Sequence, residues 1–164
     1  MFNFDFSNVN INRAPSKKGV YLVKINSMEC YESQTGNARI RIKGAVDEGD
    51  QKGAAINDGI NLPKSSDDKV LGIWLRFFSS LGMSPAEVRE TFAKDFKTME
   101  EAAEAIAEVC TGLIGYCYYA PAVDDNSWPT RKWVTADQYT AASDARGTTN
   151  SAGDALNSFI NIDG

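Results

Sequence analysis

Between Asn37 and Gly44 apolar and basic residues alternate without a break. Ile40 and Ile42 fall at even positions, and Arg39, Arg41 and Lys43 at odd ones. Side chains of a strand point alternately to its two faces, so this segment is predicted as a half-buried strand with one basic face. Its partner precedes it. Val20-Tyr-Leu-Val-Lys-Ile25 is rich in β-branched and aromatic residues and runs on to about Cys30. The polar turn Glu32-Ser-Gln-Thr-Gly36 follows, so residues 19–45 read as a hairpin with a loop of several residues. After the charged turn Asp47-Glu-Gly-Asp-Gln-Lys-Gly53, residues 54–62 read as a weaker third strand. Gly59 suggests a bulge or bend in it, and Pro63 ends it.

The apolar period then changes. Residues 69–81 put Leu71, Trp74, Leu75 and Phe78 at the i, i+3, i+4, i+7 spacing of one helix face, and Trp74, Phe77 and Phe78 are expected in or near the core. Ser66-Asp-Asp supplies polar start signals, and Gly82 a stop. Ser84-Pro85 begins a second helix, 84–94, with Val88 and Phe92 on one side. A third starts at Thr98. Met99, Ala102, Ala103, Ile106 and Val109 form its apolar stripe, Glu100, Glu101, Glu104 and Glu108 its solvent side, and Thr98-x-x-Glu101 matches a capping box. Residues 111–120 return to strand chemistry, residues 121–129 form a loop, and Thr130–Thr135 is a last short strand. The composition of residues 136–164 shifts to Ala, Ser, Thr, Asn, Asp and Gly, which reads as a flexible, mildly acidic tail. The domain is then residues 1–135, with residues 1–16 as an N-terminal arm. Three strands, helices, then two strands is the order of the OB fold, a small, partly open five-stranded barrel. The expected class is mainly β (α+β), with a helical insert between strands 3 and 4.

At 164 residues the chain can bury a core without disulfides or metal. It contains no histidine. That removes the Ser-His-Asp and Cys-His nucleophile pairs, the commonest general base and the usual metal ligand. Cys30, Cys110 and Cys117 are odd in number and have no C-x-x-C spacing, so neither a disulfide framework nor a zinc site is expected. The acidic groups Asp47-Glu-x-Asp50, Asp67-Asp68 and Asp124-Asp125 could offer carboxylates to magnesium. Each lies in a turn, where Asp serves local hydrogen bonds. No apolar run reaches the roughly 20 residues that span a bilayer. Met1-Phe-Asn-Phe-Asp also lacks the basic-then-apolar start of a signal peptide. The expectation is a cytosolic protein that is not an enzyme, needs no cofactor and meets no membrane.

The net charge of −5 argues against strong phosphate contact, but the distribution matters more than the sum. Residues 11–65 carry nine Lys/Arg against six Asp/Glu, residues 66–109 five against nine, and residues 136–164 one against four. In an OB fold, strands 2 and 3 and the 1–2 and 4–5 loops form the ligand surface. Arg39, Arg41, Lys43 and Lys52, with Lys24 and Arg131 from neighbouring strands, then stand where a phosphate backbone would lie. A solvated strand face, or an edge guarded by cations, would carry the same pattern. Tyr31 and Trp128 sit in polar loops and are the best candidates for exposed rings. Tyr116 and Trp133 are further candidates, although core packing accounts for most strand aromatics. Rings that stack bases, beside cations that meet phosphates, are the equipment of single-strand binding.

The stretch from Lys18-Gly-Val-Tyr-Leu-Val to Lys52-Gly-Ala-Ala-Ile-Asn-Asp-Gly-Ile-Asn-Leu-Pro63 resembles a family of bacteriophage-encoded OB-fold single-stranded DNA-binding proteins. So do Trp74-Leu-Arg-Phe-Phe-Ser-Ser-Leu-Gly82 and Thr111-Gly-Leu-Ile-Gly115. The resemblance covers roughly residues 18–135, and its motifs are mostly structural. It implies sequence-independent binding of single-stranded DNA in phage replication and recombination, in the cytoplasm of the bacterial host. It further implies phage or host replication and recombination proteins as partners of the C-terminal tail, and leaves a homo-oligomer open. A second reading stays open beside it: an OB-fold protein-interaction module without DNA affinity. That module would bind a host or replication protein through the acidic helix 98–109 or the tail.

Overall fold

The structure is a computed structural model that describes residue 2 and residues 13–139. The rest of the N-terminal arm, and the tail from residue 140 on, lie outside the described residues. Five strands, β1 (Gly19–Glu32), β2 (Ala38–Val46), β3 (Ala55–Asn61), β4 (Ile114–Ala120) and β5 (Thr130–Val134), form one sheet. Its order is β3-β2-β1-β4-β5, and every neighbouring pair is antiparallel. Helices α1 (Val70–Ser80), α2 (Pro85–Phe92) and α3 (Met99–Cys110) stand between β3 and β4. The sheet curls until its two edges meet. Arg131 Nη1 on β5 donates to the Asn57 carbonyl on β3 at 2.6 Å, and Trp133 Nε1 donates to Asp58 Oδ2 at 3.0 Å. This half-barrel with a helical insert is the OB architecture that the element order predicts.

The alternation of β2 holds throughout. Ile40, Ile42, Gly44 and Val46 point into the barrel, beside Val23, Ile25, Ile56 and Ile60 from β1 and β3. The irregularity expected at Gly59 lies elsewhere, because β3 runs through Gly59 unbroken. The bulge is in β1, where the register shifts between Ile25 and Ser27 and leaves Asn26 unpaired. Its cause is a change of parity. Val23 and Ile25 bury odd positions, Met28 and Cys30 even ones, and one extra residue keeps all four on the inner face. The bulge sits beside Gly44, the partner of Ile25. A Cβ on Gly44 would lie 2.5 Å from Val23 Cγ1 and 3.2 Å from two backbone carbonyls. Gly44→Ala is therefore expected to destabilise by about 1–3 kcal/mol through overpacking, as read by thermal denaturation.

The helices cap the barrel, and the buried side of α1 differs from the spacing-based expectation. Trp74, Phe77 and Phe78 are buried, whereas Leu71 and Leu75 are exposed. The helix is rotated so that Phe77 enters the barrel under Trp133, with ring centroids 4.9 Å apart. Phe92 of α2 stacks on Phe78 at 4.5 Å. In α3, Ala102, Ala103 and Ile106 are buried, and the four glutamates of its other side are exposed. The caps of α2 and α3 form as expected, whereas Lys69 at the start of α1 makes no side-chain cap bond and Glu101 Oε2 accepts from Lys97 N–H rather than from Thr98 N–H. Ser84 Oγ accepts from Glu87 N–H, and Thr98 Oγ1 accepts from Glu101 N–H. Asp68 accepts from the N–H groups of Lys64 and Val70 and so shapes the first turn of α1. Residues 111–113 belong to a turn rather than to β4, with Gly112 at φ +90°. Residues 136–139, expected in the tail, form a helical turn instead. There Thr135 Oγ1 accepts from Gln138 N–H, and Tyr139 stacks on Tyr116 at 4.8 Å. Among the described residues no helix is long and apolar enough to cross a membrane.

Candidate functional site

On the outer face of the sheet, Tyr31 of β1 lies opposite Arg39 of β2. Arg41 stands between Glu29 of β1 and Gly59 of β3, and Lys43 between Ser27 and Asn57. The ladder between β2 and β3 determines what happens at the barrel seam. Leu62 N–H bonds the Ala38 carbonyl and Val46 N–H the Ala54 carbonyl, each at 2.9 Å, so even-numbered residues exchange the bonds. The backbone groups of Ala55, Asn57, Gly59 and Asn61 therefore face away from β2, along an edge that has no ladder partner among the described residues. Side chains and the N-terminal segment cover that edge. Ala55 N–H donates to the Arg13 carbonyl at 2.8 Å. The carbonyls of Asn57, Gly59 and Asn61 accept from Arg131 Nη1 (2.6 Å), Arg39 Nη2 (2.6 Å) and Trp74 Nε1 (2.8 Å). A bare edge of this kind would invite pairing with another chain.

Arg39 thus crosses β3 to reach the far side of Gly59. The same crossing builds a groove of about 240 Å³, lined by Tyr31, Arg39, Arg41, Arg131 and residues 57–59. The Arg41 guanidinium lies 4.4 Å from the Tyr31 ring centroid and that of Arg39 5.9 Å, both within cation–π range. Arg41 is exposed and forms no ion pair among the described residues. Glu29, its neighbour across the ladder, is held by Lys43 at 3.5 Å instead. The carboxylate of Asp58 is committed on both oxygens, Oδ1 to Gly59 N–H at 2.8 Å and Oδ2 to the Trp133 indole. Arg39 Nε is buried with no hydrogen-bond partner.

The other sequence-predicted residues do not gather here. Lys43 is occupied by Glu29, and Lys24 is exposed on β1 opposite Ala45, beyond the bulge. Lys52 is exposed in the turn past Val46, and the strand from Arg41 to Val46 alone is about 17 Å long. Trp128 is 86 % exposed, as a loop ring should be, and does not line the groove, although Arg131, three residues further on, does. Tyr116 is half-buried under Tyr139. Trp133 is 4 % exposed and belongs to the core, which removes it as a stacking surface. Asn57, Asp58 and Gly59 complete the groove, and no pattern within β3 marks them as site residues. Gly59 carried a signal, but one that reads equally well as a strand break.

A scan against protein-family models finds no match to this chain, and a search of the curated proteins likewise finds none. Burial pushes the Cys110 thiol up to about 12 and that of Cys117 further, so both stay neutral near pH 7 and neither is a thiolate nucleophile. Hydrogen bonds from Ser65 and from the backbone hold the carboxyls of Asp67 and Asp68 below the usual range, in keeping with turn-shaping roles. Among the described residues no three His, Cys, Asp or Glu side chains come together as a metal site.

Proposed function

We propose that this protein binds single-stranded DNA without sequence preference, on the outer face of β1, β2 and β3. One observation carries the reading: three guanidinium groups, Arg39, Arg41 and Arg131, share a groove with the ring of Tyr31. A curled sheet of this kind is in general a binding module, and its strand 2–3 face is the ordinary ligand surface. Phosphates and base faces are common to every nucleotide, so cations with a ring grip a strand irrespective of its sequence. The net charge of −5 does not oppose this. Many of the acids stand on α3 and in turns, while Arg41 has no carboxylate paired to it among the described residues. The setting, phage replication or recombination in a bacterial host, rests on the sequence resemblance.

The test is a titration of oligo(dT) and of a duplex of equal length at two salt concentrations. The single strand is expected to bind more tightly, with log K falling against log salt by about 0.7 for each phosphate neutralised. No binding of oligo(dT) at low salt rejects the proposal.

The 4–5 loop favours the second reading, a protein-interaction module. It exposes Val123 and Trp128 beside Asp124 and Asp125 and carries no cation between residues 121 and 130. Asp124 and Ser127 fix it by mutual hydrogen bonds. An acidic loop repels phosphate, so its tryptophan suits a protein partner better than a base. Association with a host protein that survives nuclease treatment and is lost in Trp128→Ala would support this role for the loop.

A further inference from the structure

We infer that Gly59 and Arg39 shape the groove into a subsite for one nucleotide unit, with the base on Tyr31 and its phosphate between Arg41 and Arg131. This deepens the DNA-binding reading and rests on it. The outer row of β3 is Ala55, Asn57, Gly59 and Asn61, and Gly59 is the one member without a side chain. Its φ is not positive, unlike those of Gly36, Gly49, Gly53, Gly82 and Gly112, so the backbone does not require glycine there. The requirement is space. A Cβ at this position would lie 2.7 Å from the Tyr31 hydroxyl oxygen and 3.1 Å from Arg39 Nη2. The missing side chain lets Tyr31 lie across β3 and lets Arg39 reach over the strand to the Gly59 carbonyl.

Arg39 is thereby a wall of the subsite rather than a free cation. Its Nη2 is fixed at 2.6 Å on the Gly59 carbonyl, and its Nε is buried, so the guanidinium is held in place. Arg41 is the movable member. It lies on the Tyr31 ring at 4.4 Å and is paired to no carboxylate among the described residues. An incoming base takes the ring face, and the released guanidinium turns to the adjoining phosphate. Arg131 meets that phosphate from the β5 side. The groove volume of about 240 Å³ is below the about 300–1,000 Å³ of pockets for drug-sized ligands, a scale that matches one such unit.

The experiment compares oligo(dT) with an abasic phosphodiester oligomer of the same length, using wild type, Gly59→Ala and Tyr31→Leu. Wild type is expected to prefer oligo(dT) about tenfold or more, the stacking contribution of a base on a ring. Gly59→Ala is expected to bring that preference close to one, while its affinity for the abasic strand changes less than about twofold. Tyr31→Leu leaves the floor intact and is expected to give the same collapse, so it decides the matter if Gly59→Ala does not fold. A wild type that binds oligo(dT) without preferring it over the abasic strand overturns the inference and leaves the DNA-binding reading standing. So does a folded variant that keeps the wild-type preference. Failure of wild type to bind oligo(dT) at all rejects the parent reading, and the inference with it.

Discussion

Arg41→Ala combined with Arg131→Ala is expected to weaken oligo(dT) binding by about two orders of magnitude at low salt. A hydrogen bond to a charged group contributes about 1.5–3 kcal/mol, and two at the lower bound make about 3 kcal/mol, which is a little more than a hundredfold. The salt dependence changes as well. With two phosphate contacts gone, the slope of log K against log salt is expected to flatten by about 1.4. The two sites do not contribute in the same way. Among the described residues Arg41 touches the Tyr31 ring and forms no ion pair, so its loss is expected to leave the melting temperature in place. Arg131 also holds the Asn57 carbonyl at 2.6 Å, so its loss loosens the seam. Single variants, measured for binding and for melting, separate the two effects. If neither single variant lowers affinity while Arg131→Ala still lowers the melting temperature, the arginine is a clasp alone and the outer face is not where DNA binds.

The part of this site legible in the sequence is the part written within one strand. Arg39 and Arg41 are basic because they alternate with Ile40 and Ile42, and the barrel obeys that alternation. The strand–helix–strand order was equally local, because each change of apolar period falls within a few residues. What could not be read depends on closure. Arg131 finds Asn57 and Trp133 finds Asp58 across 74 and 75 residues of chain, and no spacing within β5 announces either bond. Trp133 therefore looked like a ring of uncertain side, when it is core. Gly59 shows the same limit. A glycine in a strand marks a bulge, a bend or a close approach, and only the position of Tyr31 and Arg39 above it selects the third. The bulge at Asn26 was encoded in the parity change between Ile25 and Met28, a signal that needs the inner face to be known first.

Closure and site are built from the same side chains. Arg39 and Arg131 cover carbonyls of β3 and also line the groove, and Asp58 holds both the edge strand and the indole of Trp133. The backbone is thus satisfied where the barrel lacks a ladder, and the guanidinium planes are held at the surface in fixed positions. Preorganisation of this kind reduces the side-chain entropy lost on binding. It also makes the groove depend on the core beneath the seam.

That dependence can be tested from the inside, at Phe77. Its ring is fully buried, edge-on to Trp133 at 4.9 Å and to Trp74 at 5.9 Å, with Phe78 at 5.6 Å. Phe77→Ala is expected to cost about 3–5 kcal/mol, the lost transfer energy plus the cavity left among rings that cannot all collapse into it. For a chain of this length each kcal/mol moves the melting temperature by about 2–4 °C, so a fall of roughly 6–20 °C is expected by calorimetry or circular dichroism. Leu71→Ala is the informative contrast. Helical spacing groups Leu71 with Trp74 and Phe78 on the buried face, and a buried leucine would lose about 2–5 kcal/mol. In the folded protein Leu71 is 38 % exposed, and its loss is expected to cost about 1 kcal/mol. The two variants differ by one large effect because α1 is rotated to put Phe77 under Trp133. Comparable losses at both positions would mean that the helix packs on the face its spacing suggests, and that the indole holding Asp58 is not braced from below.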